Sequence, residues 1–370
     1  MKKAFGILAI LTAFTAIPLF GENRDSTSRN LEDYDFLTSF TEENYAAFPY
    51  IMEMGYKKKY ETLKKQIRKQ LRKGKIGIEQ AACEYGIWFH KNFDAHYSIT
   101  TPLWHDYMKA VCPDYSKLME VYAPWPVSRK VDEHTWLVRV PSCPSDDSAI
   151  EWAKAAAEQY RKSGCENLII DVRGNGGGSD DMWMPFLPML VDHKREVPSE
   201  IFFRNSPFNR KFLEDALDDD DYDLRAWLEQ CKANNNQFEQ WFAWDGSDIT
   251  PTPLPKQAAI IVDKNTCSSG ESIAGIYTQG TSYRTKVYGK ERTSGANLTG
   301  NCRESKLPHS DIAIYYPPTV QSSDFLNITY GATGIKPDVH IDLPYPTRLA
   351  DNLDEWVLWV AKDLMNRVSG

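Results

Sequence analysis

The 370-residue sequence contains no Cys-x-x-Cys pair. Zinc ribbons and thioredoxin-like redox centres need two thiols at that spacing and have no support here. It also lacks the Gly-Lys-Ser/Thr step of a phosphate-binding P-loop. Its one glycine-rich turn, Gly174-Asn175-Gly176-Gly177-Gly178, carries Ser179 where a dinucleotide fingerprint needs a third glycine. Positive charge is in deficit: the formal net charge is -8. General nucleic-acid binding is therefore not expected. No internal repeat and no low-complexity linker interrupts the chain. The Asp218–Asp221 run lacks the spaced loop and glycine of a calcium-binding EF-hand, and no cofactor or metal is implied.

What is present starts with a leader pattern. Lys2 and Lys3 precede an apolar run from Ala4 to about Phe20, followed by the polar Glu22-Asn23-Arg24-Asp25. That run is short for a membrane span, so residues 1–21 are expected to be a signal peptide, with no stable membrane insertion after its removal. The mature protein would be periplasmic or secreted. No cysteine lies near the cleavage region, which argues against a lipid-anchored form. Export would permit disulfides, but the seven cysteines (83, 112, 143, 165, 231, 267 and 302) are odd in number, leaving at least one without an intrachain partner.

Apolar periodicity divides the remainder. Residues 25–125 are expected to form a helical N-terminal domain, with Tyr34, Phe36, Leu37 and Phe40 at helical spacing. Within it Lys57–Lys75 reads as an amphipathic helix with a solvated basic face. From Trp136 strands and helices alternate. Trp136–Val140, Leu168–Val172, Ala258–Val262, Val287-Tyr288 and Ile312–Tyr316 read as strands. Ser148–Lys162, Asp180–Val191 and Ser269 to about Gln279 read as helices. This succession predicts an α/β core with largely parallel pairing over residues 130–347. Residues 205–248, with Trp241, Phe242 and Trp244, are expected to be a helical insertion that could cover the site. Residues 348–370 read as a closing helix.

Three blocks carry chemistry. The glycine turn after the Leu168–Val172 strand lets backbone N–H groups approach an anion. Asn265-Thr266-Cys267-Ser268-Ser269-Gly270-Glu271 joins a second buried strand to a helix, which would expose Ser268 at the sheet edge with N–H groups facing it. Ser268 fits neither Gly-x-Ser-x-Gly nor Ser-x-x-Lys, and an ordinary helix cap is the plain alternative. Phe93-Asp94-Ala95-His96 supplies an imidazole suited to act as base at neutral pH. A metal set of His90, Asp94 and His96 matches no recognised spacing.

Taken together these blocks resemble the C-terminal-processing (tail-specific) serine peptidases and their tricorn-core and interphotoreceptor-retinoid-binding relatives. The matching residues are Leu168 to Gly178, then Thr266-Cys267-Ser268-Ser269-Gly270-Glu271, Tyr288-Gly289, Thr293 and Gly295, and finally Gly334-Ile335-Lys336-Pro337-Asp338-Val339. The resemblance implies a crotonase/Clp-protease-like core of repeated β-β-α units behind a small helical N-terminal domain. It places the nucleophile on Ser268, oxyanion donors on Gly177 and Ser269, and the family's acidic residue on Glu271. The Lys of the bacterial processing enzymes would fall at Ala296, and Lys286, Lys290 and Lys306 are out of register. The tricorn-like branch draws a His from the N-terminal side, which matches Asp94-Ala95-His96. Its acidic partner is missing from Tyr330-Gly331-Ala332-Thr333, leaving Asp94, Asp311 and Asp324 to orient His96. The forty or so residues between His96 and Trp136 are too few for a PDZ domain.

The expectation is an exported serine peptidase acting on a peptide or protein by Ser–His acyl transfer. A non-catalytic peptide-, lipid- or retinoid-binding protein and an esterase are the alternatives. Oligomeric state is not legible.

Overall fold

The computed structural model describes residues 24–111, 126–218, 221–296, 298–321, 334–346 and 353–368. The expected leader, Cys112, Asp324 and Tyr330–Thr333 lie outside the described residues. A six-stranded sheet organises the molecule. Its spatial order is Val339–His340, Thr285–Gly289, Gln257–Ile261, Asn167–Asp171, Thr135–Arg139 and Val127–Lys130. All neighbours pair in parallel except the last two, which form an antiparallel edge.

The alternation of side chains along each strand explains the layers. Leu168 and Ile170 face one core with Ala258 and Ile260, covered by Asp147–Ser163. Ile169, Ala259 and Ile261 face the other, covered by the C-terminal helix Glu355–Val368 through Trp356, Val357 and Val360. The Asp147–Ser163 helix starts where Asp146 accepts the Ala149 N–H (3.1 Å) and stops at left-handed Gly164.

The N-terminal helices Arg24–Asn44, Lys57–Arg72 and Ile78–Asn92 bury Tyr34, Leu37, Tyr60, Ile67, Tyr85 and Phe89 against one another. Their core continues through Leu298, Ile314 and Tyr316, so helices and C-terminal strands share one apolar interior. Strand Ser98–Thr100 follows directly from the last of these helices and pairs with Ala313–Tyr316, which pairs in turn with Arg303–Lys306.

Three local expectations are corrected. Residues 205–248 are not wholly helical. Helices Pro207–Asp215 and Tyr222–Asn234 are followed by strand Phe238–Trp244, which pairs antiparallel with Ser199–Arg204. Four aromatics in seven residues favour the pleated surface. Asp180–Val191 is broken into a turn at Asp180–Met182 and a short helix at Leu187–Leu190, because Pro185 and Pro188 cannot donate to a continuous ladder. After Ser268 regular helix extends only over Ser269–Ser272, and the chain continues through turns in which Ala274, Gly275 and Tyr277 reach back three, four and five residues.

Candidate active site

The glycine turn and the Ser268 turn leave adjacent parallel strands on the same side of the sheet and are fastened to each other. Asp263 accepts the Gly174 N–H (3.1 Å), and the Thr266 hydroxyl donates to the Val172 carbonyl (2.9 Å). Cys267 N–H donates to the Asn175 carbonyl (2.8 Å). Beneath them Asp171 is paired with Arg139 and Arg173, and Arg173 reaches on to Asp354 beside the C-terminal helix. Burial would raise the Asp171 pKa, but the two guanidiniums hold it below its ordinary value.

Ser268 has φ 52° and ψ -122°, a backbone conformation that side chains adopt only under constraint. Glu271 supplies part of that constraint. Its buried carboxylate accepts N–H groups from Ser268 (3.1 Å), Gly295 (2.9 Å) and Ala296 (2.8 Å), together with hydroxyls from Thr293 and Ser294. Burial pushes its pKa up. All of these carboxylate contacts go to backbone N–H groups and to the Thr293 and Ser294 hydroxyls, none to Ser268 Oγ. Glu271 clasps the Thr293–Ala296 turn to the Ser268 turn, the geometry of a positioning group rather than of an acid or base.

The oxyanion donors also need revision. The Gly177 N–H is already donated to Asn175 Oδ1 (2.7 Å). Gly177 matters because it has no side chain: a Cβ there would lie 2.6 Å from Ser268 Cβ and 3.1 Å from Oγ, at φ +101°. The Gly177 carbonyl accepts from Cys143 N–H, which turns the trans-related N–H of Gly178 away from Cys143. Gly178 and Ser269 both line the cleft in front of Ser268, and neither N–H donates to a described residue.

That cleft has a volume of about 300 Å³. Trp241 and Phe242 of the 205–248 segment form part of its wall, with Ile201, Ile276 and Leu298. Thr299, next to Leu298, also lines it.

His96 stands behind Thr299. Its position follows from the end of helix Ile78–Asn92, where Asp94 accepts the His96 N–H (2.9 Å) in a tight turn before strand Ser98–Thr100. Asp94 is buried and fixed by the Tyr45 hydroxyl (2.8 Å). Thr299 Oγ1 donates to Asp94 Oδ1 (2.8 Å) and sits 2.9 Å from His96 Nδ1. One hydroxyl has one proton. With that proton donated to Asp94 Oδ1, Thr299 must accept from Nδ1–H, and in the neutral ring Nε2 is left unprotonated. Burial lowers the His96 pKa below its ordinary 6.5, against the opposing pull of Asp94. Asp94 itself is 3.7 Å from Nδ1, so it acts through Thr299. No hydrogen bond joins His96 to Ser268 Oγ, although both border Thr299 or its cleft. Thr299 escaped the sequence reading because it belongs to no motif, and only the pairing of Thr299–Gly300 with Thr319–Val320 brings it under His96. Asp311 is exposed, and His90 turns its Nδ1 to the Tyr97 carbonyl (3.1 Å).

Among the described residues no cluster of His, Cys, Asp or Glu could hold a metal ion, and no helix is long and apolar enough to cross a membrane. The six described cysteines are free thiols, four of them buried.

Comparison with known proteins agrees with this architecture. The chain is similar to mature CPAF complexed with lactacystin (TM-score 0.57, 13 % identity, 92 % of this chain and 99 % of that one). It is similar also to a candidate peptidase from Parabacteroides merdae ATCC 43184 (TM-score 0.53, 14 % identity, 86 % of this chain and 91 % of that one). At these identities the likeness concerns the fold. No curated protein sequence matches. The model of peptidase family S41 matches residues 135–341, more than half of the sequence, and the chain therefore belongs to that family of serine-type peptidases.

Proposed function

We propose that this serine peptidase is exported and cleaves peptide bonds by acyl transfer from Ser268, with His96 as the base. The observation that carries the reading is the Asp94–Thr299–His96 chain: Thr299 lines the cleft that holds Ser268 and accepts from His96 Nδ1, which leaves Nε2 as the acceptor nitrogen. His96 Nε2 removes the Ser268 proton as Oγ attacks the substrate carbonyl. The N–H groups of Gly178 and Ser269 receive the developing oxyanion. The imidazolium then protonates the leaving amine, and water, deprotonated by the same nitrogen, releases the acyl group. Without substrate the nucleophile–base hydrogen bond is commonly long and tightens on binding.

Export rests on Lys2, Lys3 and the apolar run Ala4–Phe20. The short stretch between His96 and Trp136 favours cleavage without a PDZ-type tail receptor. The test is Ser268→Ala together with a fluorophosphonate probe. Turnover should vanish in the variant while its melting temperature stays within about 2 °C, and the probe should label Ser268 in the wild type only. Wild-type cleavage rates in Ser268→Ala, or labelling elsewhere, would overturn the assignment.

A further inference from the structure

Asp180 takes no part in the acyl transfer described above. It follows the glycine loop directly, at the head of the Asp180–Met182 turn, and lines the cleft. It is the only Asp, Glu, Lys, Arg or His among the described residues of that lining. Its Oδ2 accepts the Tyr277 hydroxyl (3.1 Å), and the hydroxyls of Ser269 and Ser272, in the first turn after the nucleophile, also stabilise it. The rest of the lining is uncharged: apolar Ile201, Trp241, Phe242, Ile276 and Leu298 share it with polar residues such as Asn301 and Gln321.

A lone carboxylate in such a cleft recognises a cation carried on an apolar stem. Lysine and arginine side chains have that form: methylenes that lie against apolar walls, and a charged end that needs a partner. Three neutral hydroxyls leave the carboxylate's charge uncompensated, and burial holds its pKa above the ordinary value. A charged ligand group stabilises such an anion more than hydroxyls do. The same charge repels an acidic side chain and a free C-terminal carboxylate.

We propose that Asp180 selects substrates with lysine or arginine on the acyl side of the scissile bond. The side follows from position: Asp180 is two residues beyond Gly178 and touches Ser269, the two residues whose N–H groups would hold the attacked carbonyl. The inference rests on the serine-peptidase reading of Ser268 and deepens it.

Internally quenched peptides that differ only at the two residues flanking the bond test it, with Lys, Arg, Leu or Glu at each place. Wild-type kcat/KM should be at least about tenfold higher for Lys or Arg than for Leu on the acyl side, and lowest for Glu. Asp180→Asn keeps the shape and removes the charge. It should lower kcat/KM for the basic substrates about 100-fold, as expected for losing one partner of a desolvated charge pair. The Leu substrate should stay within about threefold, a split that a merely structural Asp180 would not produce. Preference for Leu or Glu in the wild type, a basic preference confined to the leaving-amine side, or an equal loss on all substrates would each overturn the assignment. If no peptide is cleaved and the fluorophosphonate leaves Ser268 unlabelled, the hydrolase reading fails and this inference falls with it.

Discussion

Replacing Thr299 by valine removes one hydroxyl and keeps nearly the same shape. The hydroxyl does two things: it donates to Asp94 Oδ1 and accepts from His96 Nδ1, at 2.8 and 2.9 Å. In Thr299→Val the Nδ1–H loses its acceptor, because the nearest Asp94 oxygen is 3.7 Å away. A buried donor left without a partner costs about 1–3 kcal/mol. The imidazole can escape that cost by moving its proton to Nε2, which destroys its function as base. One factor of ten in rate corresponds to about 1.4 kcal/mol, so kcat should fall roughly 5- to 150-fold. KM should change little, because valine keeps nearly the same volume in the cleft lining. Thr299→Ser, which restores the hydroxyl, should recover most of the rate. Steady-state kinetics on a quenched peptide, with thermal melting as the control, measure all of this. If Thr299→Val kept kcat within twofold of the wild type with an unchanged melt, the tautomer argument would be refuted.

The remaining predictions follow from burial and backbone geometry. Because burial lowers the His96 pKa, the neutral, active form persists below pH 6.5; kcat/KM should rise with pH through a midpoint below that value and then level off. An acid limb centred above 6.5 would contradict this. Gly177→Ala places a methyl 2.6 Å from Ser268 Cβ on a residue held at φ +101°, and should reduce turnover at least about 100-fold while lowering the melting temperature. Activity near the wild-type level would mean that the glycine loop does not approach the nucleophile in solution.

Most of the central sheet was legible because its strands are short apolar runs ended by turn residues. Leu168–Val172 and Ala258–Val262 each lie within one residue of the observed strands Asn167–Asp171 and Gln257–Ile261. The short strands were not legible. Thr299–Gly300, Thr319–Val320 and Val339–His340 are two residues each, too brief for any period, and exist because partners distant in sequence hold them. The aromatic run Phe238–Trp244 was misread as helix for a related reason. Phe238, Trp241 and Trp244 recur every third residue, as on a helix face, yet they serve three different neighbours: Tyr50, Phe203 with Trp227, and Tyr277.

The candidate site divides along the same physical line. Ser268 and the glycine loop are local backbone devices, so their residue types show in sequence. Which N–H group remains available does not, because that depends on Asn175 folding back on Gly177 and on Cys143 accepting the loop at its edge. The base is the more instructive case. Ala296 stands where a lysine would serve in the related processing enzymes, and its N–H is bound to Glu271, so that turn is spent on holding the Ser268 backbone. The small side chain leaves space in the cleft lining. On the proposed reading the base comes from elsewhere: His96 is carried by the helical layer, anchored through Asp94 to Tyr45 and through Thr299 to the sheet. The helices and the sheet share one apolar core through Leu298, Ile314 and Tyr316, so docking of the helical layer also sets the Asp94–Thr299–His96 chain. On the proposed reading the N-terminal helices belong to the catalytic apparatus, because their packing onto the core sets His96 against Thr299 of the cleft lining.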